Sequence, residues 1–204
     1  IISAQNTVIT AIKAAELGAY DYLPKPFDLK ELLSKVNKAL QNQGTANTVI
    51  PVDGNVEPDL PLVGSSPPMQ DVYRFLARIL NTDLSTVITG ESGTGKDLLA
   101  HAMHDLGPRA SNDFIRINIS SSNVERIEGI LIGGKEDLKI SPASKNSTIY
   151  FDEISEMSDE IQLQLLDLLR SDIVIEKKYR FISSSRLSLQ NLISQGIIRE
   201  DLFY

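Results

Sequence analysis

The chain contains no cysteine and no tryptophan, and only two histidines in 204 residues. Without cysteine there is no disulfide framework, no thiolate zinc site and no cysteine nucleophile. The histidines, His101 and His104, are three apart with no third ligand suggested nearby, which fits packing or surface residues better than a metal site. Long hydrophobic runs are missing too. None approaches the roughly 18–20 residues of a membrane span, and no charged-then-apolar leader opens the chain, so a cytoplasmic protein is expected. Nor is there surplus basic charge: Lys and Arg total 20 against 27 Asp and Glu, a formal net charge of −7. Residues 1–43 hold five basic and four acidic side chains, 44–60 none and three, and 61–204 fifteen and twenty. No segment carries the basic stripe of a domain that grips phosphate backbones on its own.

What is present is an ordinary globular balance, 42% apolar and 23% charged, in a length that suits one full domain and a piece of another. The chain opens on Ile1-Ile2 without an initiator Met and stops in Arg199-Glu-Asp-Leu-Phe-Tyr204 without a turn signal, so both ends read as cut. Residues 5–18 predict a short amphipathic helix ended by Gly18, and 20–23 a strand stopped by Pro24-Lys25-Pro26. From Asp28, an expected N-cap, Leu29, Leu32, Leu33, Val36 and Leu40 fall at helical spacing and make one apolar stripe. This half-unit has a stripe to bury and too little sheet to bury it on. Residues 42–60 mix Gly, Asn, Thr, Pro and acids without a period, as an interdomain linker does.

A second domain is expected from about residue 61, opening with Ser66 as N-cap, Pro67 at the first helical position, and a buried face of Met69, Val72, Tyr73, Leu76 and Leu80. Strands at 85–89, 114–118, 148–152 and 179–183 then alternate with helices near 95–106, 124–131 and 158–170. That alternation predicts an α/β fold, a mostly parallel sheet covered by helices, with ligands at the carboxyl ends of the strands.

Gly90, Glu91, Ser92, Gly93, Thr94, Gly95 and Lys96 fit G-x-x-x-x-G-K directly after an apolar strand and directly before a helix. Glycines let the backbone curl so that its N–H groups face one anion, the helix adds its positive end, and Lys96 reaches the outer phosphates. Position 97 is Asp where the general pattern has a hydroxyl for Mg2+, so the metal must depend on another acid. The strand 148–151 followed by Asp152 and Glu153 supplies one: Asp152 beside the metal, Glu153 where an attacking water could sit. Acids at a strand end are also common as simple caps.

GESGTGKD (90–97), LVGSSPPMQ (62–70), IYFDEISEMS (149–158) and IIREDLF (197–203) resemble the central AAA+ ATPase domain of the NtrC family of sigma-54-dependent transcription activators, which carries an acid after the P-loop lysine. SAQNT (3–7) and GAYDYLPKPFDLKEL (18–32) resemble the last part of a response-regulator receiver domain, a partial doubly wound unit. The implied organisation is receiver end at 1–43, linker at 44–60 and ATPase domain at 61–204. The resemblance implies ATP hydrolysis with Mg2+ in a ring of identical subunits, remodelling of RNA polymerase holoenzyme, and gating by receiver phosphorylation. It implies that the 90–97 loop holds phosphates, Asp152 the metal, and that Glu153 polarises water. Asn118 matches the residue that restrains that glutamate, although its residue type fits a strand-end cap equally. Arg199 matches an arginine finger given to the neighbouring subunit; on its own, an arginine beside acids is more often a surface ion pair. Ser3, Tyr22 and Lys25 match the receiver's switch hydroxyl, switch aromatic and phosphate-sensing lysine, and the Lys25-Pro26 bond one that is usually cis. The phosphate-accepting acid is expected before Ile1; the helical lid, a second arginine and a DNA-reading helix-turn-helix are expected beyond Tyr204.

The departures fall on the target-facing parts. Residues 134–146 are shorter than the family's GAFTGA loop and lack its letters, the second loop is reduced to 170–178, and Ser185-Arg186 stands where Thr-Asn is common. Nucleotide binding is therefore expected, and weakened coupling to sigma-54. Three readings follow: a mechanochemical ATPase, a module that binds ATP and assembles without productive turnover, and a P-loop phosphotransferase unrelated to transcription, for which no acceptor site is suggested.

Overall fold

A computed structural model describes residues 1–3, 10, 14, 17, 19–25, 27–41, 66–133 and 142–202. The linker expected at 42–60, most of the helix expected at 5–18, Pro26 of the Lys25-Pro26 bond and residues 134–141 of the shortened loop lie outside the described residues. The chain divides into two compact units, Ile1–Thr82 and Asp83–Tyr204.

In the first unit, strands β1 (Ile2–Ser3) and β2 (Leu23–Pro24) pair in parallel, with Ile2 opposite Leu23. The strand expected at 20–23 thus begins only at Leu23. Tyr22 is buried, and burial pushes its hydroxyl up from the usual tyrosine range while a hydrogen bond with Ser3 works the other way. Helix α1 (Leu29–Gln41) starts as the sequence predicts: Asp28 Oδ1 accepts from the Lys30 N–H at 2.9 Å. Its stripe is not buried, however. Leu29, Leu33, Val36 and Leu40 are 64%, 53%, 45% and 64% exposed; among the described residues of this unit, the two-residue strands present no face wide enough to cover them. Helix α2 (Pro67–Ile79) has Pro67 at its first position, but Ser66 makes no side-chain cap bond and contributes only its extended backbone. Tyr73, Leu76 and Leu80 form its buried face.

The second unit runs β3 (Thr86–Thr89), α3 (Lys96–Asp105), β4 (Phe114–Asn118), α4 (Val124–Glu128), β5 (Thr148–Asp152), α5 (Asp159–Leu169), α6 (Asp172–Lys177), β6 (Arg180–Ser185) and α7 (Leu189–Ser194). All four strands are parallel, in the order β3-β6-β5-β4. β5 is buried from Thr148 to Phe151, as a parallel strand covered on both faces should be. Ile117, Ile119, Ile127, Leu131, Ile149, Ile161 and Leu165 pack in the core. Fully burying a side chain of that size stabilises by about 1.5–3 kcal/mol.

The helix expected at 124–131 is α for one turn and then a π-helical turn over Gly129–Gly133. The segment 170–178, expected as a loop, contains α6, capped by Ser171 Oγ accepting from the Val174 N–H at 3.4 Å. No described helix is long and apolar enough to cross a membrane.

The register puts all four strand ends on one edge. Thr89 lies opposite Ser185, and Asn118 opposite Asp152. Residues following β3, β5 and β6 therefore meet there, where open α/β sheets bind their ligands.

Candidate nucleotide site

The loop after β3 is anchored at its base by the Gly90 N–H donating to the Ser185 carbonyl at 3.1 Å. Gly93 and Gly95 have φ of 81° and 88°, the left-handed region that L side chains rarely adopt. A Cβ at either would meet nothing within 4 Å, whereas one at Gly90 would come within 2.8 Å of Thr94 Oγ1. Thr94 Oγ1 donates to the Glu91 carbonyl at 2.8 Å and tightens the turn. α3 starts at Lys96, so its first-turn N–H groups have no earlier helical carbonyl to bond and carry the helix's partial positive charge. The Lys96 ammonium donates to the Gly90 carbonyl at 2.8 Å and the Glu91 carbonyl at 2.9 Å, folded back on the loop. Glu91, Ser92, Gly93 and Thr94 are exposed. Open left-handed glycines, a helix start and a lysine at one spot make an anion cradle.

Asp152 ends β5 on the same edge. Ser184 Oγ donates to its Oδ1 at 2.9 Å, the Tyr150 hydroxyl lies 3.3 Å from that oxygen, and Arg116 Nη2 donates to Oδ2. Burial would raise the carboxyl's pKa, but the bonds from Arg116 and Ser184 outweigh it and hold it below the usual carboxylate range. Burial and the adjacent carboxylates push the Tyr150 hydroxyl up to about 12, so it stays a neutral donor. The same arginine faces a second acid: Arg116 Nη1 is 3.3 Å from Asp97 Oδ1. That oxygen is buried and accepts no hydrogen bond among the described residues. One guanidinium thus bridges the acid after Lys96 and the acid at the end of β5, although β6 separates their two strands.

Glu153 takes a left-handed backbone, φ 60°, worth about 1–2 kcal/mol of strain for a non-glycine. Three bonds hold it. Its N–H donates to Ser184 Oγ at 2.9 Å, and its carboxylate accepts from Ser155 Oγ and from the Arg186 N–H at 3.0 Å. Arg186 Nε is 3.1 Å from the other carboxylate oxygen, and Arg186 Nη2 pairs with Glu156. Asn118 is engaged elsewhere: its Oδ1 accepts from the Ser121 N–H at 3.3 Å, a strand-end cap on the following turn. Arg199 is exposed and pairs in a fork with Asp201, Nε–Oδ1 2.9 Å and Nη2–Oδ2 2.7 Å.

The sequence marks the loop, Asp97, Asp152 and Glu153, and the fold brings these to one edge. It does not mark Arg116, Ser184 or Gln162, and it marks Arg186 only as a departure from the family's Thr-Asn, not as the partner of Glu153. Gln162, buried on α5, donates to the Met157 and Ile197 carbonyls and accepts from the Arg199 N–H, so it pins the Arg199 segment. The one available signal was the alternation in β4, where Arg116 interrupts an apolar strand. His104 bonds Thr148 Oγ1 at 2.9 Å and is buried, as a packing residue. An apolar cavity of about 440 Å³ under Val87, Phe151, Leu165 and Phe181 contains none of the site residues.

As a metal site the edge offers two carboxylates, Asp97 and Asp152; no cluster of three or more metal-binding side chains exists among the described residues. Two hard oxygen donors fit Mg2+, which keeps waters and takes its remaining ligands from phosphate.

Residues 62–204 match the family described as the Sigma-54 interaction domain. The chain is 44% identical to the DNA-binding transcriptional regulator NtrC of Azospirillum brasilense and 32% identical to that of Escherichia coli K12, in each case over 100% of this chain and 46% or 47% of the relative. It spans about half the length of the curated relatives it matches. Among solved structures it is similar to NtrX from Brucella abortus in complex with ATP, with TM-score 0.59 and 30% identity over 99% of this chain and 49% of that one. The ADP complex matches at TM-score 0.59 and 28% identity, over 99% and 48%.

Proposed function

The chain belongs to the sigma-54 interaction domain family, and we propose that it is the nucleotide-binding part of an NtrC-like transcription regulator. In this reading residues 61–204 form the ATPase domain, 44–60 the linker and 1–43 the end of a receiver domain. ATP binds on residues 90–97, and hydrolysis occurs between subunits of a ring. The observation that carries this reading is the Arg116 bridge, which ties the acid after Lys96 to the acid at the end of β5. With the open left-handed glycines and Lys96 of the loop on the same strand edge, that bridge supports a site for a charged ligand there.

The main-chain donors of the loop and the Lys96 ammonium take the phosphates, for which Lys96 must release the Gly90 and Glu91 carbonyls. Asp97 and Asp152 would hold Mg2+, which when bound supplies charge neutralisation on the phosphate oxygens. Glu153 orients and polarises the attacking water. Its carboxylate is withheld by Arg186, so that contact has to open for the base to act. Asn118 is the residue proposed to restrain Glu153 during the cycle; here its Oδ1 accepts from Ser121 while Arg186 engages the Glu153 carboxylate. Arg199 serves the neighbouring subunit; here its fork is occupied by Asp201, an exposed pair that is cheap to break. Remodelling of sigma-54 holoenzyme is the family's use of the cycle, and phosphorylation sensed through Ser3, Tyr22 and Lys25 its gate.

A second reading has a specific observation in its favour. The metal-holding and the water-polarising acid are both paired with arginines from this chain, Asp152 with Arg116 and Glu153 with Arg186, which suits a module that holds nucleotide without turning it over. Turnover measured over a range of protein concentrations, in wild type, Lys96→Ala and Glu153→Gln, decides. The ATPase reading expects a rate per subunit that rises with concentration and falls at least about a hundredfold in both variants. A wild-type rate equal to the variants' at every concentration leaves the binding module.

A further inference from the structure

A guanidinium at the centre of a sheet strand needs a reason. In β4, Ile115 and Ile117 point to the core side while Phe114, Arg116 and Asn118 share the other face. Arg116 lies opposite Tyr150 in the register, two pairs before Asp152 and so on the same face as it, and its side chain reaches along the strand edge. There it takes Asp152 Oδ2, while Ser184 and Tyr150 engage Oδ1. Its other terminal nitrogen faces Asp97 Oδ1, the buried oxygen without a hydrogen bond. A guanidinium stays charged at every physiological pH and its flat fork suits two carboxylates at once.

We propose that Arg116 is a built-in counter-ion competing with divalent metal for Asp97 and Asp152. In the nucleotide-free protein it closes the carboxylate pair to free Mg2+, so the metal enters only together with a triphosphate. The charge arithmetic requires competition. Two carboxylates and one guanidinium sum to −1, and a divalent ion placed beside the same oxygens would face a fixed positive charge a few ångströms away, a repulsion that solvent around the half-exposed Arg116 and Asp97 weakens without removing. An arriving phosphate changes this, because its oxygens give the guanidinium an alternative bidentate acceptor and free the carboxylates. The entry of metal with phosphate rests on the nucleotide reading above; the exclusion of metal from the bare pair does not.

The test is Mn2+ binding to the nucleotide-free chain, followed by the electron paramagnetic resonance signal of free Mn2+, in wild type, Arg116→Ala, Arg116→Gln and Arg116→Lys. Removing the charge in the Ala and Gln variants should tighten Mn2+ at least about tenfold. The Lys variant, which keeps the charge, should stay near wild type. Adding Asp152→Asn to Arg116→Ala should abolish the gain. A purely structural role for Arg116 would give no difference between Lys and Gln, and that result overturns the proposal. So does unchanged Mn2+ affinity in both neutral variants, or a gain that survives Asp152→Asn. ATP binding is measured separately: tighter Mn2+ without any ATP binding would support the counter-ion and remove the nucleotide reading.

Discussion

Helices α1 and α5 carry similar apolar stripes and meet opposite fates. On α5, Ile161 and Leu165 are buried against the four-stranded sheet, with Leu168 and Leu169 packed beside them. On α1, Leu29, Leu33, Val36 and Leu40 stay exposed. Periodicity fixes which face of a helix is apolar, but not whether anything covers it. Cover comes from sheet area: among the described residues the second unit has four strands of four to six residues, the first two strands of two. The two units should therefore respond very differently to equal chemical changes.

The largest effect should come from the covered core. Ile149→Ala removes a fully buried side chain from β5 and should cost about 2–5 kcal/mol in denaturant unfolding of the full chain. A cost under 1 kcal/mol would mean that the sheet is not the stabilising layer. Gly95→Ala comes next. The position has room for a methyl group but a φ of 88°, so the change should cost about 1–2 kcal/mol through backbone strain alone, measured in the same unfolding experiment.

A smaller effect separates the site by pH. The folded Asp152 carboxyl lies below its ordinary value, so its ionisation stabilises the fold above the unfolded value of about 3.9, and that contribution is lost as pH falls through the folded one. Stability should decline on acidification below about pH 4, and Asp152→Asn should make that decline shallower; an unchanged slope would contradict the pairing. The smallest effect belongs to the uncovered stripe. Leu33→Ala should change stability by no more than about 0.5 kcal/mol. A loss as large as that of Ile149→Ala would show that α1 is covered in solution and would erase the contrast.

Local signals in the sequence suffice where neighbours decide the structure. The strands at 114–118 and 148–152 have their expected ends, and helices α3 and α5 lie within a residue of theirs. Helix α7, six residues behind the Ser188 cap, went unseen because one and a half turns give no period to detect. The cradle was legible for the same reason as the strands, since its glycines, lysine and helix start are contiguous. The pairings of Arg116 and Arg186 are not, because their acids lie 36 and 33 residues away in sequence. Only the parallel register brings those residues together, and side chains meeting across strand ends leave no short-range pattern.

The central claim is that the loop at 90–97 is a triphosphate site. Equilibrium titration of the full chain with a fluorescent ATP analogue in Mg2+ tests it most directly. Saturable binding to wild type, displaced by ATP and weakened at least about tenfold by Lys96→Ala, is the predicted result. Absence of binding, or equal affinity in the two proteins, would contradict it.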